Sequence, residues 1–95
     1  MHYTAYLRRT EEAAASLGGR HISLAGGYYG IQLATEDDDR FLILALDLDG
    51  SLGWAVWTED AMGERNCDDT IELGWPPIAQ LAHVARNAAD GHVCP

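Results

Sequence analysis

Apolar positions along this chain change their spacing twice, from helical to alternating and back. From Tyr3 to Leu17 the residues Tyr3, Tyr6, Leu7, Ala14 and Leu17 return at three- and four-residue steps, while Arg8, Arg9, Glu11 and Glu12 fall mostly between them. The spacing predicts an amphipathic helix. Gly18-Gly19 is expected to stop it, because glycine takes the left-handed backbone without steric cost. A second helix is predicted to open at Pro76-Pro77, where a missing N–H costs nothing. Its buried stripe is Ile78, Leu81, Ala82, Ala85 and Ala89, its wet side is Gln80, His83, Asn87 and Asp90, and Gly91 ends it.

Between these segments the period is two. His21 to Ala25 and Tyr28 to Leu33 flank Gly26-Gly27, a pair suited to a two-residue hairpin turn with positive φ. That turn would set Ile22 opposite Ile31, Leu24 opposite Tyr29, His21 opposite Gln32 and Ser23 opposite Gly30. Phe41 to Leu48 and Leu52 to Thr58 meet at Asp49-Gly50, a strong short hairpin signal, which would set Leu42, Leu44 and Leu46 opposite Trp57, Ala55 and Gly53. In this register Phe41, Ile43, Ala45, Trp54 and Val56 share the other face, with Tyr28 beside them. Two helices can hardly cover both sides of a four-stranded sheet, so this second apolar face is expected to be exposed in part or covered by another chain. Ala61 to Glu64 reads as a turn and Thr70 to Leu73 as a possible fifth, edge strand. The expectation is one α+β domain spanning residues 1–95, an antiparallel meander in the order α-β-β-β-β-(β)-α.

Charge adds a preference among partners. Fifteen residues are Asp or Glu against six Lys or Arg, giving a net charge of -9, and every one of those six is Arg. Such a balance argues against direct nucleic-acid binding, which needs cations to displace phosphate counterions, and points to a basic partner. No stretch approaches a membrane span, and Arg8-Arg9 with neighbouring carboxylates makes the N-terminus unlike a signal peptide, so the cytoplasm is the expected compartment. Cys67 and Cys94 are expected as free thiols; a zinc site from Cys67, His92 and Cys94 lacks the usual CxxC spacing.

Few residues suggest catalysis. Asp47-Leu48-Asp49-Gly50-Ser51, at the end of an apolar strand, resembles the first motif of the haloacid-dehalogenase phosphatases, in which the first Asp attacks phosphorus and the second is acid/base. Only Leu52 to Pro95 follows, with no Lys to support a transferring phosphoryl group, so a tight turn is the simpler reading. A small ligand-binding or hydrolytic site at Asp47 and Asp49 is retained as the alternative function. The run Glu36-Asp37-Asp38-Asp39 reads as a solvated loop or as a negative prong for a cationic groove. The histidines His2, His21, His83 and His92 show no metal-binding spacing, no serine sits in a GxSxG context, and no cofactor is expected.

The pieces Phe41 to Asp49, Gly50, Trp54, Pro76-Pro77, Ile78 to Ala89 and Gly91 to Pro95 resemble the small immunity proteins encoded beside bacterial polymorphic toxins. Those combine an apolar strand, an Asp-Gly turn, a Trp-bearing strand, a Pro-started Ala-rich helix and a short tail. The resemblance implies a non-enzymatic inhibitor of a protein partner, such as a toxin or nucleic-acid enzyme with a cationic groove. On this reading Tyr28, Phe41 and Trp54 are the apolar anchors, and Asp37, Asp38, Asp39, Glu59 and Asp60 supply steering charge. A homodimer through the Trp54 face is the plainer alternative.

Overall fold

The computed structural model describes residues 2–65 and 69–92. Helix α1 (Tyr3–Leu17) leads into a five-stranded antiparallel meander of β1 (Arg20–Ser23), β2 (Tyr29–Ala34), β3 (Arg40–Leu46), β4 (Trp54–Asp60) and β5 (Ile71–Gly74), and helix α2 (Ile78–Asp90) closes the fold. The strands lie side by side in chain order. This is the expected α+β class and order, with the fifth strand present.

Helix α2 follows its apolar stripe, while α1 follows its own in part: Tyr3, expected on the stripe, is 47% exposed, and Thr10 is buried. In α1, Tyr6, Thr10, Ala13 and Ala14 are buried, and Gly18 ends the helix in the left-handed region at φ 67°, its N–H turned back to the last carbonyls. In α2, Leu81, Ala85 and Ala89 are buried. They join Ile31, Leu33, Leu42, Leu44, Leu46, Trp54 and Val56 in one core. Alanines on the helices allow close approach to the bulky residues of the sheet. Tyr6 fixes the depth of α1, because its hydroxyl accepts the Tyr29 N–H at 2.8 Å and donates to the Leu46 carbonyl at 2.9 Å. Burial pushes this phenol above its ordinary value. Thr10, with no exposed surface, donates its hydroxyl to the Leu7 carbonyl at 2.9 Å and lies 2.8 Å from His21 Nε2, tying α1 to β1.

Both hairpin registers differ by one residue from the sequence expectation. In the first, His21 stands opposite Ile31 and Ile22 opposite Gly30. The turn is the three residues Ala25–Gly27, closed by a Leu24 N–H to Tyr28 carbonyl bond of 2.8 Å, instead of Gly26-Gly27 alone. In the second, Leu42, Leu44 and Leu46 stand opposite Thr58, Val56 and Trp54. Here Asp49-Gly50 forms only the tip of a wider loop. β3 ends at Leu46, and the Asp47 N–H donates to the Gly53 carbonyl at 2.9 Å. The Asp47 carboxylate accepts the Ser51 hydroxyl and the Leu52 N–H, both at 3.1 Å, so it holds the added residues in place. Gly53 must be glycine there: its φ is 81°, and a Cβ would run into the Gly74 carbonyl of β5.

A slip of one residue exchanges the two faces of a strand. Trp54 and Val56, expected on the open face, lie under the helices at 1% and 0% exposure. Ala55, Trp57 and Glu59 take the open face in their place. Trp54 is therefore not an exposed anchor.

Candidate functional site

Neither helix covers the far side of the sheet. That side carries Ile22 of β1, Gly30 and Gln32 of β2, Phe41, Ile43 and Ala45 of β3, and Ala55, Trp57 and Glu59 of β4, as the strand registers require. Ile43 has no exposure although no helix lies over it. Its cross-strand neighbours are Gln32 and Trp57, and side chains of that face shelter it.

Small residues in the middle of this face leave a groove of about 470 Å³. Ala45 and Ala55 form part of its floor, Leu24, Tyr28 and Leu52 border it, and Trp57 borders it with Arg65. Tyr28 is 36% exposed and Leu52 57% exposed, large apolar surface for loop residues. Acidic groups enter from three elements: Asp47 after β3, Glu59 on β4 and Glu72 on β5. The Trp57 indole N–H donates to the Glu59 carboxylate at 2.6 Å, and the Arg65 guanidinium lies over the Trp57 ring, 4.1 Å from its centroid.

The anchors and charges expected from sequence are divided by this geometry. Tyr28 and Glu59 border the groove. Trp54 also reaches it, yet at 1% exposure it belongs to the core. Phe41 is half-buried on the same face, opposite Glu59 and next to Ala34, at the end where the 35–39 turn lies. Asp37, Asp38 and Asp39 are exposed in that turn, which the Thr35 hydroxyl braces by donating to the Arg40 carbonyl at 2.8 Å, with the Asp39 N–H donating to the Asp37 carboxylate at 3.0 Å. Asp60 stands opposite Arg40 and accepts the Met62 and Glu64 N–H groups at 2.8 and 3.0 Å, so it shapes the turn after β4. The sequence reasoning missed Trp57, Leu52, Arg65 and Glu72. Trp57 was discoverable from the alternate strand parity, where Ala55, Trp57 and Glu59 also form a consistent set.

Asp47 and Asp49 act on their own loop. Asp49 accepts the Ser51 N–H at 2.8 Å. The neighbouring Asp47 carboxyl, then the Ser51 hydroxyl and N–H, hold Asp49 down at about 2. Asp47 reaches the groove, while Asp49 is not among its bordering residues. Among the described residues no three His, Cys, Asp or Glu side chains gather as a metal-holding group, and no helix is long and apolar enough to cross a membrane. Cys67 and Cys94, and with them the thiol and zinc readings, lie outside the described residues. His92 itself lies 3.0 Å from Asp69, joining the end of α2 to the segment before β5. Comparisons with protein-family models, curated proteins and solved structures find no match for the chain.

Proposed function

We propose that this is a non-enzymatic interaction protein that binds and inhibits or regulates a basic macromolecular partner through the open face of its sheet, in the manner of a bacterial immunity protein or phage inhibitor. The observation that carries the reading is the groove itself: apolar side chains of Tyr28, Leu52 and Trp57 surround a floor of alanines, with Asp47, Glu59 and Glu72 among them. Aromatic and aliphatic anchors ringed by polar groups are the usual makings of a protein interface. A net charge of -9 disfavours a second copy as the occupant, since two such chains repel, and favours a cationic protein, such as a toxin or nucleic-acid enzyme, met in the cytoplasm. The outlying carboxylates of the 36–39 turn and Asp60 serve as steering charge at one end of that face.

Affinity capture from the native host with wild type and with Leu52→Glu tests this. Leu52 is 57% exposed, so the substitution leaves the core intact while placing a charge in the apolar border. The expected result is a basic protein captured by wild type and lost with Leu52→Glu, whose association with the purified wild type slows as salt rises. Equal capture by both chains, or an association rate indifferent to salt, overturns the proposal.

A further inference from the structure

We infer that the Trp57 end of the groove is a seat for an arginine side chain of the partner, and that Arg65 fills this seat in the free protein. The inference rests on the docking reading above and specifies what enters. Three groups compose the seat. The Trp57 ring offers its π-face, which already holds the Arg65 guanidinium at 4.1 Å; the Thr70 hydroxyl accepts a hydrogen bond from Arg65 Nη1 at 2.9 Å; and Glu59, bonded to the Trp57 indole N–H at 2.6 Å, places a carboxylate beside the ring. Arg65 and Glu59 also pair as an antiparallel bridge, so the backbone presents Arg65 to the site.

A flat guanidinium suits this arrangement better than an ammonium does. It can stack on the indole and donate in its own plane at the same time, whereas a lysine head is a compact, strongly hydrated charge. Arg65 is exposed and the groove opens to solvent, so its stack is of the weak, solvent-screened kind. An incoming arginine would exchange one stacked guanidinium for another and take over the Thr70 hydroxyl as acceptor. The remaining contacts, with Tyr28, Leu52 and Glu72, would then decide occupancy. Arg65 thus keeps the Trp57 face covered until a partner with the matching group arrives.

Removing Arg65 should strengthen binding of an arginine probe, the reverse of what losing an ordinary contact does. The probe is a blocked Gly-Arg-Gly peptide, titrated into wild type and Arg65→Ala while the Trp57 indole N–H is followed by NMR, its assignment fixed by Trp57→Phe. The expected outcome is a saturable Trp57 shift, about two- to five-fold tighter in Arg65→Ala than in wild type. The shift should weaken in the Glu59→Gln version of that variant and weaken again with Gly-Lys-Gly. Equal affinity in wild type and Arg65→Ala, a Trp57 signal that does not move, or a lysine peptide that binds as tightly overturns the inference. If the peptide fails while Leu52→Glu still abolishes capture, the docking face stands without the arginine seat. If the peptide behaves as expected while Leu52→Glu captures normally, the docking reading alone falls.

Discussion

On one side of the β3–β4 hairpin, Leu42, Leu44, Leu46, Trp54 and Val56 lie beneath two helices with at most 3% exposure; on the other, Phe41, Ala45, Ala55 and Trp57 are only partly buried, and the last three border a groove. Both sides are apolar, so composition alone does not distinguish them. What differs is the company each side keeps. The covered side meets alanines from α1 and α2 and, among the described residues, contains two buried polar side chains, Thr10 and Thr58. The open side mixes its aromatics with Glu59, Glu72 and Arg65, groups that belong in water. One side is closed by its own chain, and the other stays in contact with solvent.

Matched tryptophan substitutions should separate the two sides most sharply. Trp54→Ala should cost about 3–5 kcal/mol, a large share of the roughly 5–15 kcal/mol available to a small domain, and should lower the melting temperature by more than about 12 °C. Trp57→Ala should cost about 1 kcal/mol and leave a cooperative fold. Thermal denaturation of the pair checks this, and equal losses would mean that the sides are not distinct. Tyr6→Phe comes next. It strands the Tyr29 N–H and the Leu46 carbonyl on the covered side, and denaturant unfolding should register a loss of about 2 kcal/mol.

The helices were legible because their apolar spacing is long and each is bounded by glycine or proline: α1 runs over Tyr3–Leu17 as expected, and α2 begins directly after Pro76-Pro77. Strand existence was legible for the same reason, through alternation. Register was not, because it depends on how many residues a loop holds. Gly26-Gly27 and Asp49-Gly50 each suggest a two-residue turn, and nothing local reveals that Ala25 joins the first or that Asp47 gathers Ser51 and Leu52 into the second. The single-residue slip then moved Trp54 into the core and Trp57 out of it. Only part of the proposed site was consequently visible, through Tyr28 and Glu59. Trp57 and Arg65 needed the fold, since their stacking joins β4 to the turn that follows it.

The smallest expected effect concerns the loop that sets this register. Asp49 is held near 2, below its ordinary 3.8, so its ionised form favours the folded state. That contribution is present above about pH 4 and fades as pH falls through about 2. Asp49→Ala should therefore be slightly less stable than wild type at neutral pH, with the difference shrinking as pH falls from about 4 toward 2, as followed by denaturant midpoints across that range. A difference that stays constant with pH would remove the charge from the loop's role.

The three tryptophans report on the two sides of the sheet from separate places: Trp54 in the core, Trp75 44% exposed and stacked near Arg9, and Trp57 at the groove. Their indole N–H signals, followed by NMR as a basic protein captured in the proposed affinity experiment is added, give the most direct test of the proposed docking face. A shift or broadening of Trp57, with Trp54 and Trp75 largely unmoved, is the result expected. Movement of Trp75 with Trp57 unchanged would place the partner on the helical side and contradict the account.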